Sequence, residues 1–135
     1  MRFVDTSVLL YAVSTARAEA AKAAVARALL AAGDLALSVQ VLQEFYARAT
    51  RPTRADALSH HQAAALIEAW LRFTTEDTTP ALVAAALATT ARHRISYWDA
   101  AIVEAARLLG CAVILSEDLA HGQDFDGVRV QNPFA

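Results

Sequence analysis

Four carboxylates stand at or near the ends of apolar segments that lie far apart in the chain: Asp5, Glu44, Asp99 and Asp118. Asp5 and Asp118 each come shortly after a short apolar run typical of a buried strand, whereas Glu44 and Asp99 fall in helical patterns. Carboxylate oxygens are the ligands that Mg²⁺ and Mn²⁺ prefer. A fold that brings this acidic quartet together would therefore build a metal site.

Each of these acids also has an ordinary structural explanation. Asp5 could cap a helix, Asp99 lies in a first helical turn, where acids are favoured, and Asp118 could begin a turn. Glu44 precedes Arg48 by four residues, the spacing of a helical ion pair. Asp5 and Asp99 are embedded in apolar sequence, however, where an unpaired charge costs several kcal/mol. Crowded acids also raise one another's pKa values, and a bound divalent cation removes that conflict.

Patterns for other chemistries are missing from the chain. The four histidines and the single cysteine show no zinc-ligand spacing, and neither HExxH nor CxxC occurs. No Walker A, GxGxxG or G-x-S-x-G motif is present, so a nucleotide cofactor or a serine nucleophile is not indicated. Tyr97 and Trp98 could stack on a nucleobase, but their helical position favours packing in the core.

The composition predicts a folded, helix-rich protein. Its 135 residues suit one domain over 1–135, and 56% hydrophobic with 19% charged residues argues against disorder. The alanine-rich segment 16–32 carries four charges, which indicates a helix outside the membrane. A lone cysteine and the absence of a signal-peptide pattern indicate a cytoplasmic protein with no membrane partner. The net charge of −2 excludes a globally basic nucleic-acid binder.

Predicted strands alternate with predicted helices along the chain. We predict strands over 2–4, 35–38, 111–115 and 126–131, and a short one within 75–79. We predict helices over 7–13, 16–32, 39–49, 60–74, 80–93 and 96–109. This alternation predicts an α/β fold with a short, mainly parallel sheet flanked by helices. Sites in such sheets form beyond the carboxyl ends of the strands, so the acidic quartet could face one edge.

With these residues in place, the chain resembles PIN-domain proteins, in particular the VapC-type toxins of bacterial toxin–antitoxin modules. Residues 3–11 (FVDTSVLLY) match the opening apolar-Asp-Thr/Ser pattern of the family. The segments 43–45 (QEF) and 96–102 (SYWDAAI) resemble its helix-borne glutamate and its third acid. Residues 116–119 and the ending 132–134 resemble one subgroup. The resemblance spans the whole chain and implies a PIN-like three-layer α/β/α fold.

The resemblance implies an endoribonuclease that depends on Mg²⁺ or Mn²⁺ and leaves a 5′-phosphate and a 3′-hydroxyl. Carried over residue by residue, the catalytic and metal-binding acids are Asp5, Glu44, Asp99 and Asp118. The supporting hydroxyls are Thr6, Ser7 and Ser116. Asp118 is preferred to the adjacent Glu117, because the family pattern after that strand is Thr/Ser-x-Asp. The RNA contacts expected beside this anionic site are Arg51, Arg54 and Arg94.

The resemblance also implies protein partners, since family members usually form homodimers and are silenced by a cognate antitoxin. Two other functions stay open at this point. A catalytically silent PIN-fold nucleic-acid-binding or regulatory protein would bind RNA or a partner without depending on a metal. A haloacid-dehalogenase-type phosphatase would also use an Asp after the first strand. That chemistry requires an Asp-x-Asp pair, however, and Ser7 occupies the second place.

Overall fold

A six-stranded sheet forms the middle of the molecule, for which a computed structural model describes all residues 1–135. Its strands are β1 (Arg2–Val4), β2 (Leu35–Ser38), β3 (Thr74–Glu76), β4 (Val113–Leu115), β5 (Asp124–Phe125) and β6 (Val128–Gln131). Their spatial order is β3-β2-β1-β4-β6-β5, and only the β5–β6 pair is antiparallel. The predicted α/β fold with a mainly parallel sheet is therefore confirmed.

Six α-helices connect and cover the strands. They are α1 (Thr6–Ala12), α2 (Ala20–Ala32), α3 (Val39–Ala49), α4 (His60–Trp70), α5 (Pro80–His93) and α6 (Tyr97–Leu108). The chain moves outward from β1 to β3 and then crosses back to β4. Because crossovers between parallel strands are right-handed, these two directions put helices on both faces of the sheet. None of the helices has the length and apolar character needed to span a membrane.

Side-chain caps fix where most helices begin. Five of the six helices start at a residue whose side chain accepts a backbone N–H of the first turn: Asp5, Ser38, Ser59, Thr79 and Ser96. Such caps satisfy N–H groups that have no partner within the helix. Asp5 is itself the cap of α1, Ser38 caps the helix that carries Glu44, and Ser96 caps the helix that carries Asp99. The caps therefore also set the positions of these three acids.

The segment predicted as one helix over 16–32 is split. Its first residues form a 3₁₀ turn, Arg17–Glu19, before α2 starts. The Ser14 hydroxyl accepts the Ala16 N–H at 3.2 Å and donates to the Glu19 carboxylate at 2.6 Å. These local bonds compete with helical hydrogen bonding and hold the entry in a non-helical conformation.

Three other predicted boundaries are wrong. The strand predicted over 111–115 starts only at Val113, because the Cys111 N–H still bonds to the Ala106 carbonyl of α6. The helix predicted over 60–74 ends at Trp70, because Thr74–Glu76 pairs with β2 as β3. The strand predicted over 126–131 starts only at Val128. Asp126 and Gly127, with φ of 52° and 99°, form a two-residue turn that pairs β6 with the unpredicted β5. A short Asp-Gly turn therefore ends the sheet in a hairpin.

Helix α3 is fixed in rotation by the core beneath it. Phe45 is fully buried and its ring meets that of Trp70 edge-on, with the centroids 4.7 Å apart. It belongs to a continuous core that includes both strands β1 and β4. Because Glu44 is the preceding residue, the burial of Phe45 determines in which direction the Glu44 carboxylate leaves the helix.

We expect Phe45→Ala to lower the free energy of unfolding by about 3–5 kcal/mol, because it removes a buried ring and leaves a cavity. Urea unfolding measures the change. Leu87→Ala is the control, since Leu87 is 57% exposed, and should change the free energy by less than about 0.5 kcal/mol. Equal effects of the two substitutions would contradict this account of the core.

Candidate functional site

Asp5 is a buried carboxylate at the carboxyl end of the central strand β1. Its backbone N–H continues the β1–β4 ladder by donating to the Leu115 carbonyl at 3.0 Å. One side-chain oxygen accepts the Thr6 N–H at 2.7 Å, and the other accepts the Ser116 hydroxyl at 2.7 Å. Asp5 therefore caps α1 and at the same time ties that helix to the residue that follows β4.

This carboxylate is held in an unfavourable electrostatic setting. Burial raises the pKa of Asp5 to about 6, the two hydrogen bonds oppose the rise, and the nearby Asp118 and Glu44 add to it. No lysine or arginine forms an ion pair with Asp5. At neutral pH the site thus contains a largely ionised, buried carboxylate without a cation of its own.

Glu44 projects from α3 towards Asp5 and is held at both oxygens. One oxygen accepts the Thr6 hydroxyl at 3.0 Å, and the other accepts the side-chain amide of Gln40 at 2.8 Å. Glu44 forms no ion pair with Arg48, although their spacing would allow one. The hydroxyl of Thr6 thus orients a second acid, while its backbone N–H binds Asp5.

Gln40 is a structural part of the site that the sequence analysis missed. It is buried, and its amide donates both to Glu44 and to the carbonyl of Trp98 at 3.1 Å. It therefore connects α3 to the first turn of α6. The available signal was its position one helical turn before Glu44, on the same side of α3.

Asp99 lies in the first turn of α6, one residue after Trp98. Its N–H donates to the capping hydroxyl of Ser96 at 3.1 Å. Burial raises the pKa of Asp99 and the charges of Asp118 and Glu44 contribute, while the bond with Ser96 opposes the rise. Asp99 and Asp5 are therefore both influenced by these two carboxylates. The prediction that Trp98 packs in the core is wrong, because the residue is 64% exposed.

Ser116 arranges the loop that carries the fourth acid. Its fully buried hydroxyl donates to Asp5 and accepts the N–H groups of Asp118 and Leu119, each at 3.1 Å. The Asp118 side chain is 55% exposed and lies 3.9 Å from the Arg48 guanidinium. Asp118 is therefore close enough to influence the site, yet it remains accessible to solvent.

Glu117, the alternative fourth acid, is engaged elsewhere. Its carboxylate oxygens lie 2.9 and 3.2 Å from the amine of Lys22, which is the only lysine in the chain. The Lys22 amine is also 3.3 Å from the Tyr11 hydroxyl. The Glu117 backbone N–H donates to the Ser7 hydroxyl at 3.2 Å. Ser7 thus holds the loop, and Lys22 draws the Glu117 carboxylate towards α2.

Arg54, one of the three expected RNA contacts, lies near the carboxylates together with Arg48, which was not among them. A cavity of about 110 Å³ is bordered by Ser7, Asp118, Arg48 and Arg54, among others, and the Arg48 guanidinium lies 3.9 Å from the Asp118 carboxylate. Arg54 also pairs with Asp56 at 3.0 Å. Arg51 and Arg94 are exposed and form no ion pair. Sequence analysis had assigned Arg48 to a helical ion pair only.

The donor set of the quartet suits a hard divalent cation. No group of three or more His, Cys, Asp or Glu side chains lies close enough together to bind one ion directly. The charges of Glu44 and Asp118 nevertheless raise the pKa values of both Asp5 and Asp99 across the site. Mg²⁺ keeps several of its water ligands and commonly takes only one or two protein carboxylates. A buried carboxylate with three more accessible ones around it fits that kind of coordination.

Comparison with known proteins identifies a family. The family model described as PIN domain matches residues 2–123. No curated protein sequence matches the chain significantly.

Similar solved structures come from several bacteria. VapC20 of Mycobacterium tuberculosis, described as a sarcin–ricin loop cleaving toxin, is 24% identical, with 87% of this chain and 90% of that chain covered and a TM-score of 0.68. A toxin–antitoxin complex from Klebsiella pneumoniae is 20% identical, with 98% of both chains covered and a TM-score of 0.70. VapBC2 of Rickettsia felis, bound to a promoter DNA fragment, is 14% identical, with 97% of both chains covered and a TM-score of 0.64. These likenesses confirm the fold.

We expect Asp5→Asn to stabilise the metal-free protein at pH 8. The pKa of Asp5 is about 6 in the folded state against 3.8 for the ordinary group, so the folded state binds more protons between these values. The stability that proton binding by Asp5 gives the folded state is therefore lost as the pH rises from about 4 through 6. The full shift corresponds to about 3 kcal/mol, from which the lost Ser116 bond subtracts. The net gain should be about 1–2 kcal/mol.

Urea unfolding in EDTA, run from pH 4 to pH 8 on both proteins, measures this difference. The gain should disappear towards pH 4, where the carboxyl is protonated in the folded state. Asp34→Asn is the matched control, since Asp34 is an exposed acid paired with the N-terminus before β2. If the difference in unfolding free energy between the wild type and Asp5→Asn did not change with pH, the energetic cost assigned to the buried Asp5 charge would be refuted.

Proposed function

Since the chain belongs to the PIN-domain family, we propose that it is a divalent-metal-dependent endoribonuclease and the toxin of a toxin–antitoxin module. The similar structures include a protein described as a sarcin–ricin loop cleaving toxin and a toxin–antitoxin complex. The observation that carries the proposal is Asp5, a buried carboxylate without a cation. Selection for stability alone would disfavour such a group, whereas a metal-binding role explains it.

In this proposal, Asp5, Asp99 and Asp118 hold Mg²⁺ or Mn²⁺ directly or through water, and Glu44 joins them or acts as a base. The bound cation would supply positive charge that lowers the pKa of a water and offsets negative charge on the phosphodiester. The chemistry of four oxygen-donor side chains supports this choice over zinc, which favours nitrogen and sulfur ligands.

The remaining side chains position the reacting groups. Ser116 and Thr6 hold the Asp5 carboxylate in one orientation, so that it needs no reorganisation during the reaction. Glu44, oriented by Thr6 and Gln40, would accept the proton of the attacking water. Arg48 and Arg54 beside Asp118 would bind a phosphate of the RNA, with Arg51 and Arg94 as outer contacts.

The proposed partners follow from the same assignment. RNA is the substrate, a cognate antitoxin is the inhibitor, and a second copy of the chain forms a homodimer. Toxin–antitoxin complexes among the similar structures support the antitoxin. The proposed site of action is the cytoplasm, where the RNA substrate is found, and the proposed catalytic unit is one domain over 1–135.

We expect Asp5→Asn and Asp99→Asn each to lower the rate of RNA cleavage by at least about 100-fold, because each removes a charge needed for cation binding. Cleavage of a labelled single-stranded RNA with Mn²⁺ measures the rate, and EDTA should abolish it. Mn²⁺ should also raise the melting temperature of the wild type but not of Asp5→Asn.

Asp34→Asn is again the control and should cleave at the wild-type rate. Circular dichroism establishes that each variant is folded. Full activity of folded Asp5→Asn or Asp99→Asn would refute the nuclease assignment. Tight RNA binding by the wild type without any cleavage or response to Mn²⁺ would instead identify a catalytically silent nucleic-acid-binding protein.

We expect the two adjacent acids after β4 to differ in their effect on cleavage. Asp118→Asn should reduce the rate by at least about 10-fold, because it removes an accessible carboxylate next to Ser116. Glu117→Gln should reduce it by less than about 3-fold, since Glu117 is paired with Lys22. The same cleavage assay decides between the two acids. A larger loss of rate in Glu117→Gln than in Asp118→Asn would identify Glu117 as the fourth acid.

A further inference from the structure

Trp98 exposes a large aromatic ring beside the acidic quartet. It is 64% exposed, more than any other large apolar side chain of the protein. The ring of Tyr97 meets it edge-on at 5.1 Å, which helps to hold it in place. Its backbone carbonyl is fixed by the buried amide of Gln40. An exposed indole held in this way is a preorganised surface for a flat partner.

The ring forms one wall of an open groove of about 400 Å³ between α3 and α6. The other residues around the groove are Gln40, Gln43, Glu44 and Ala47. Gln43 is exposed, and its side-chain amide forms no hydrogen bond within the protein, so it offers both a donor and an acceptor. Glu44 lines the groove and belongs to the quartet. The groove is therefore continuous with the candidate catalytic site.

We propose that this groove binds one unpaired nucleobase of the RNA next to the cleaved phosphate, with Trp98 stacked on the base and Gln43 bonded to its edge. This inference rests on the proposed ribonuclease function and adds a subsite to it. Single-stranded RNA is recognised by stacking its bases on aromatic rings and by hydrogen bonds to their edges. Because Glu44 belongs to both the quartet and the groove, a base next to a phosphate at the quartet would lie beside this wall.

The chemistry of the groove favours a base over a protein partner. Beside the indole it offers the exposed amide of Gln43 and the carboxylate of Glu44. A second groove on α3, lined by Val39, Leu42, Gln43, Tyr46 and Ile67, shares Gln43 with the first but contains neither Trp98 nor a member of the quartet. Aromatic and amide groups next to catalytic acids match the needs of a nucleobase held close to its phosphate.

The test measures binding of a fluorescein-labelled single-stranded RNA by anisotropy, in the Asp5→Asn background so that no cleavage occurs. Trp98→Ala should weaken binding about 5- to 100-fold, as expected for the loss of one stacked base. Trp98→Phe should retain most of the affinity. Leu87→Ala, which removes another exposed apolar side chain, should bind as the parent does.

A series of RNAs with a single abasic nucleotide, moved stepwise along the strand, locates the base. One position should weaken binding to the parent protein but cause no further loss in Trp98→Ala, because both changes remove the same contact. Equal RNA affinity of Trp98→Ala and its parent would overturn the proposal. So would a Trp98→Ala variant that loses dimerisation in sedimentation but keeps its RNA affinity, since the ring would then be a protein contact.

Cleavage by the wild type with Mn²⁺ is measured in parallel and separates the two ideas. If the wild type cleaves RNA but Trp98→Ala has unchanged RNA affinity, the base subsite is refuted and the nuclease assignment stands. If Trp98→Ala weakens RNA binding at one base position but the wild type does not cleave, the nuclease assignment is refuted and the base-binding groove stands.

Discussion

The site depends on one interaction, the pair of hydrogen bonds that holds the Asp5 carboxylate at the end of β1. Thr6 supplies a backbone N–H and Ser116 a hydroxyl, so each carboxylate oxygen has a donor. β1 lies at the centre of the sheet between β2 and β4, and parallel strands end at a common edge. Fixing Asp5 therefore also fixes α1 and the loop after β4 relative to each other.

Small polar residues then extend this arrangement to the other acids. The Thr6 hydroxyl reaches Glu44 on α3, and Gln40 connects Glu44 to the backbone of α6, which carries Asp99 in its first turn. Ser116 binds the N–H of Asp118 with the same oxygen that donates to Asp5. Uncharged groups thus position Asp5, Glu44 and Asp99 without neutralising their charge, whereas Asp118 lies 3.9 Å from the Arg48 guanidinium.

Features set by neighbouring residues could be predicted from the sequence. Strand β1, the caps at Ser38 and Ser96, and the position of Glu44 on a helix all follow from local patterns. The exposure of Trp98 could not be predicted in this way, because the helical pattern around it does not show which face of the helix packs against another element. The pairing of Arg48 with Asp118 likewise required elements distant in the chain to be placed first.

The lone lysine shows why charge balance matters at this edge of the sheet. Five carboxylates lie in or next to the site, and Lys22 forms an ion pair with Glu117, the neighbour of Asp118. Burial raises the pKa values of Asp5 and Asp99, and the negative charges of Asp118 and Glu44 add to the rise. A divalent cation bound among these carboxylates would favour the ionised forms and reverse that rise. Because such a cation binds only the folded state, the arrangement that destabilises the free protein becomes a stabilising one when metal is present.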